Sequence, residues 1–112
     1  MSVKNSVMAI PGGAIDTVVL TGTYEQLGNP LPHPCFLLRI VNDSDIGLEI
    51  SYDGVTQHDF VSSKSVALLE PQTNSQPNNR TALFPKGFTV WVNGDAGTGV
   101  VYLAGYYQVT AN

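Results

Sequence analysis

His58 and Asp59, with Asp53 five residues before His58, are the one place in this chain where acid–base chemistry could be assembled. A histidine backed by a carboxylate can activate a hydroxyl, and Ser51 and Ser62 stand nearby. No motif marks either serine as a nucleophile, and on a strand His58 and Asp59 point to opposite faces. Cys35 is a second candidate nucleophile. It is the lone cysteine, but Pro34-Cys35-Phe36 leads into an apolar run, where a thiol behaves as a small buried hydrophobe. His33 lies among prolines in a loop and is expected to be solvated.

Two further stretches have the composition of ligand loops without their spacing. Asn42-Asp43-Ser44-Asp45-Ile46-Gly47 alternates oxygen ligands as calcium loops do, yet lacks the third acidic ligand and the distant Glu. Gly94-Asp95-Ala96-Gly97-Thr98-Gly99 has the glycines of a phosphate loop, but a strand follows where a helix and a lysine are needed. Zinc requires clustered Cys and His, which are too few here. No catalytic residue, metal ligand or cofactor site is therefore assigned, and the chain is expected not to be an enzyme.

The elements around these residues are strands. Alternation of apolar and polar residues, punctuated by Gly, Pro and Asn, predicts strands at Val3–Ile10, Ile15–Thr23, Phe36–Asn42, Ile46–Asp53, Thr56–Val61, Ser65–Glu70, around Phe88–Val92, and Gly99–Val109. Pro11-Gly12-Gly13 is expected to end the first with a sharp turn. The 36–53 stretch is expected to form a hairpin, Asp53-Gly54 a tight turn with positive φ, and the glycines of 94–99 another hairpin. No window has helical spacing. The expectation is one all-β domain over residues 1–112: a jelly-roll-like β-sandwich of about eight antiparallel strands. The immunoglobulin order is disfavoured because its Cys–Trp–Cys pattern is missing.

Composition narrows the function classes. The chain has 112 residues, a net charge of −4 and only 12% charged residues, about half the usual share. Lys4, Arg39, Lys64, Arg80 and Lys86 are scattered, so neither nucleic acid nor an anionic membrane surface is an expected partner. No segment approaches the ~20 apolar residues of a membrane span, and the N-terminal stretch lacks the unbroken apolar core of a signal peptide. A weakly charged surface rich in Ser, Thr, Asn, Gln and Gly suits a chain that packs against other chains. Expected contact residues are Val3, Val7 and Ile10 in the 1–10 segment, which could add a strand to a neighbour. Gln72, Asn74, Asn78 and Arg80 in the exposed 71–80 loop join them, with Trp91, Tyr106 and Tyr107 on late strands. Tyr102 and Tyr106 share one face of the last strand; Leu103, Tyr107 and Val109 share the other.

Two stretches carry a resemblance. IVNDSDIGLEISYDGVTQHDFV and FPKGFTVWVNGDAGTGVVYLAGYYQ resemble small virion structural proteins of tailed bacteriophages. The first matches that pattern at Asn42, Ser44, Ile50, Ser51, Asp53, Gly54 and His58. The second matches at Lys86, Gly87, Trp91, Val92, Gly97, Gly99, Tyr102, Gly105, Tyr106 and Tyr107, with Phe88 where Thr is usual. The resemblance implies a non-enzymatic subunit, made in the bacterial host cytoplasm and residing in the virion. Its partners would be the major capsid protein or portal and neck proteins, and copies of itself. It would decorate or cement the capsid, or alternatively form a collar or adaptor ring at the head–tail junction. A carbohydrate-binding module using Trp91 is a further alternative.

Overall fold

A computed structural model describes residues 4–70 and 83–111. Nine strands run in chain order through these residues. They are β1 (Lys4–Ala9), β2 (Gly13–Asp16), β3 (Glu25–Leu27), β4 (Leu37–Ser44), β5 (Leu48–Ser51), β6 (Asp59–Val61), β7 (Ser65–Leu69), β8 (Val90–Asn93) and β9 (Gly99–Ala111). They form two antiparallel sheets. The five-stranded sheet has the order β1-β9-β4-β7 with β2 also on β9, and the four-stranded sheet has the order β3-β8-β5-β6.

Burial follows the two-residue period along β2, β4, β7 and β8. Leu38, Ile40, Val101 and Leu103 of the larger sheet face Leu27, Leu48, Ile50, Val61, Val90 and Val92 of the smaller one, and all are buried. Leu20, Leu31 and Cys35 plug the core from the connections. Each such large side chain contributes about 1.5–3 kcal/mol of burial, so the interleaved layer holds the sheets together.

The expected hairpins at 36–53 and 94–99 are not hairpins. β4 and β5 lie in different sheets, as do β8 and β9. Asn42 explains the first crossing. It is buried on the inward face of β4, and its Nδ2 donates to the carbonyls of Ile46 (2.8 Å) and Ser62 (3.0 Å). This ties the corner over the sandwich edge instead of letting it fold back. The two corners are then laced together: Asp45 N–H donates to Thr98 O at 3.1 Å, and Thr98 N–H donates to Asp45 Oδ1 at 2.9 Å. Asp43 pairs with Lys64 at 2.9 Å. The acidic residues of the 42–47 stretch therefore have partners within the protein.

The Ile15–Thr23 strand is also shorter than expected. It ends at Asp16, whose carboxylate accepts the Val18 N–H at 3.0 Å and caps a 3-10 turn over Thr17–Val19. A capping side chain here outweighs the strand preference of the two valines. Pro11-Gly12-Gly13 is not a reversal either. Ala9 is opposite Tyr106 and Gly13 is opposite Leu103, so β1 and β2 continue along one edge of β9 with an extra residue between them, a bulge. Gly13 is needed there, because a Cβ would lie 2.4 Å from the Gly28 Cα. Strands β6 and β7 begin or end a residue or more inside their expected limits, whereas β5 and β6 are an antiparallel pair closed by a loop through Gly54 at φ 80°.

Candidate functional site

The reactive-looking corner at 51–59 is occupied by structural bonds. Tyr52 N–H donates to His58 Nδ1 at 3.0 Å, and the two rings stack at 5.3 Å. The Tyr52 hydroxyl donates to Asp59. Burial first, and Asp59 second, raise the Tyr52 phenol well above its ordinary range. His58 and Asp59 thus both act on Tyr52 and not on each other. The Asp53 carboxylate accepts the Thr56 and Val55 amides at 2.8 and 2.7 Å and the Ser51 hydroxyl at 2.8 Å. These bonds hold it well below the usual carboxylate range. Cys35 is buried, donates weakly to His33 O at 3.4 Å, and has its thiol pushed up by burial. Among the described residues, no three His, Cys, Asp or Glu side chains come together.

The surface feature that stands out is the outward face of the five-stranded sheet. Cross-strand register aligns Val66, Val41 and Tyr102 in one row and Leu68, Arg39 and Ala104 in the next. Leu37 and Tyr106 make a third row. Val66 is 59% exposed, Leu68 54% and Tyr102 45%. Arg39 sits in the middle of this face, and the Asp43–Lys64 pair, 2.9 Å apart, borders it beside Val41, Val66 and Tyr102. The Arg39 guanidinium lies 6.0 Å from the centre of the Tyr106 ring and donates to the Tyr106 hydroxyl at 3.4 Å. Between the Arg39 guanidinium beside that ring and the Asp43–Lys64 pair runs a band of exposed aliphatic and aromatic side chains.

At one end this face runs into a ribbon. β4 pairs with β9 only as far as Leu37 opposite Tyr106, whereas β1 pairs with β9 from Ala9 opposite Tyr106 out to Lys4 opposite Ala111. Beyond Tyr106, among the described residues, β9 is paired with β1 alone. β9 has 13 residues and, at ~3.3 Å each, reaches roughly 43 Å. The described chain measures 54 × 27 × 22 Å. Val7 and Met8 are exposed on this ribbon. Among the described residues this ribbon has no third strand, an arrangement that is marginal in water by itself and that offers unpaired backbone groups at its edges.

Of the expected contact residues, Val7 and Tyr106 fall in this region. Ile10 does not: its side chain is in the core. It follows the end of β1, and its amide still bonds Gly105 O at 3.0 Å. Tyr107 turns inward, packs against the core and stacks on His33 at 4.1 Å. The His33 ring, expected to be solvated, therefore has one face covered. Trp91 is half-buried on the outward face of the other sheet, where Gly54 lies so near the indole that a Cβ would sit 3.1 Å from it. Val3, Gln72, Asn74, Asn78 and Arg80 lie outside the described residues. Val66 and Leu68 were not singled out from sequence. The available signal was that Ser65–Leu69 is apolar on both faces.

No protein-family model and no curated protein matches the chain. Solved structures with a similar outline include a subunit from Bacillus endospore appendages, described as disulfide-linked pili. It is 12% identical, with a TM-score of 0.47 over 99% of this chain and 90% of that one. PirA is 16% identical, with a TM-score of 0.40 over 90% and 92% of the respective chains. The SPP1 Dit protein, from a phage hub adsorption apparatus, is 10% identical, with a TM-score of 0.39 over 92% of this chain and 49% of that one.

Proposed function

We propose that this protein is a non-enzymatic structural subunit of a tailed-phage virion that decorates or cements the capsid. It does so by packing the outward face of its five-stranded sheet and its β1–β9 ribbon against other virion proteins and copies of itself. The observation that carries the reading is the apolar face of Val66, Leu68, Val41 and Tyr102, continuous with a ribbon that has no third strand among the described residues. Standard interfaces bury about 800 Å² per partner, and a sheet face of this width can supply that area. Strand addition at the ribbon edge would fix orientation through main-chain hydrogen bonds. Many weak contacts repeated by symmetry then make attachment effectively permanent. The sequence resemblance to small virion proteins supplies the setting.

Electron microscopy of particles assembled with tagged protein tests the placement: density on the head shell supports it, and density confined to the neck or tail refutes decoration. Light scattering on the isolated chain separates a closed ring, which should self-associate with a fixed stoichiometry, from a cement subunit that associates on meeting the shell.

A further inference from the structure

Each sheet ends on two outer lines of strand: β7 and the β1–β2 line in the larger, β3 and β6 in the smaller. Folded proteins guard such edges with short strands, charges, prolines or bulges. β3 and β6 have three residues each and include Glu25 and Asp59. The β1–β2 line is interrupted by its bulge, which contains Pro11. β7 has none of these guards. Its five residues, SVALL, carry no charge and no proline, and they pair with β4 in unbroken register. Among the described residues no strand covers its other side.

The residues flanking β7 make this edge complementary to itself. Lys64, at φ 58°, turns the chain into the strand, and exposed Glu70 follows it. If two copies lie antiparallel with their Ala67 residues opposite each other, Val66 falls opposite Leu68 and Ser65 opposite Leu69. Lys64 then falls opposite Glu70 of the second copy, and each of these pairs occurs twice, as a two-fold contact requires. Parallel pairing in register would instead set Lys64 against Lys64 and Glu70 against Glu70. Val66 and Leu68, 59% and 54% exposed, would cover each other across the junction. The Lys64 side chain is 64% exposed although its ammonium lies 2.9 Å from Asp43, and an ammonium has donors for a second carboxylate. We propose that two copies of this chain join through β7, antiparallel about a two-fold axis, and merge their larger sheets into one. This rests on the reading of the chain as a packing subunit and assigns its contact with itself to one edge. The strand spans only about 17 Å at ~3.3 Å per residue, so the pair is weak in isolation and gains strength where copies are held side by side.

Sedimentation velocity of the full chain at about 50 mM salt should show a monomer–dimer equilibrium with a Kd tighter than about 1 mM. Lys64→Glu and Glu70→Lys each turn both charge contacts repulsive, and each should weaken the dimer roughly tenfold. An equimolar mixture of these two variants should dimerise again, because every 64–70 contact between them is then of opposite charge. If Lys64→Glu does not fold beside Asp43, Glu70→Lys and Ala67→Cys carry the test. Opposed residues of an antiparallel pair have Cα atoms ~4.5–5.5 Å apart, within disulfide reach. Oxidised Ala67→Cys should therefore become a covalent dimer while the buried Cys35 stays reduced. A chain that stays monomeric at about 1 mM overturns the proposal. So does a dimer indifferent to Glu70→Lys, or one that Ala67→Cys does not cross-link. Binding to capsid shells is read separately: a monomer that binds them overturns this inference alone, and a dimer that does not bind them overturns only the virion role.

Discussion

Asn42 sits on the inward face of β4, where its two amide hydrogens bond the carbonyls of Ile46, Ser62 and, at 3.3 Å, Val61, while Ser44 donates to its Oδ1. One side chain thus joins the corner after β4 to the corner after β6. Asn42→Ala should cost about 3 kcal/mol, because it strands buried carbonyls as well as removing bonds; urea unfolding measures this. Asp53 makes a prediction with a sign. Its folded value lies below the ordinary 3.8, so its contribution to stability is complete above that pH and is lost as pH falls through the depressed folded value. Asp53→Asn should therefore be less stable at neutral pH, and thermal melts of the variant should fall less steeply on the acid side. Equal acid limbs for the two proteins would contradict the loop bonds described. From sequence, Asn42 and Asp53 were visible as turn formers. That Asn42 reaches across to a second corner was not, because its partners are main-chain carbonyls, which carry no residue signature.

At the level of elements, the strands themselves were legible. Leu38, Ile40, Val90, Val92, Val101 and Leu103 alternate with outward residues, and this pattern says which side of each strand is inward. It does not say which sheet a strand joins. An inward side chain is equally satisfied in either layer, so the 36–53 and 94–99 stretches read as hairpins although each crosses the sandwich. The bulge at Ile10–Gly12 was hidden for a related reason: Pro-Gly-Gly fits a reversal and a bulge alike. Gly13 separates these in the folded protein, since it packs backbone to backbone on Gly28 between the two sheets. Gly13→Ala should destabilise by about 1–3 kcal/mol, read as a lowered denaturant midpoint with an unchanged slope. A neutral result would mean that β2 and the 27–28 turn do not approach as described.

Across the whole molecule, the two sheets have different outer surfaces. The four-stranded sheet shows polar groups beside Phe60, whereas the five-stranded sheet shows Val66, Leu68, Val41 and Tyr102. The aromatic and apolar residues on both faces of the last strand fitted a core more readily than an interface, and strand β7, which completes the face, became visible only when its register to β4 was known. Tyr106 and Val7 belong to that surface; Ile10 and Tyr107 serve the interior. A domain built this way should tolerate charge on the face without unfolding, because Leu68 and Tyr102 are outside the core. The most direct measurement of the proposed role is co-sedimentation of the purified chain with tailed-phage capsid shells from particles that contain it, comparing the natural protein with Leu68→Asp/Tyr102→Asp. The natural protein should pellet with the shell, while the variant, folded by circular dichroism, should stay in the supernatant. A variant that pellets as fully as the natural protein would contradict the assignment of this face to assembly.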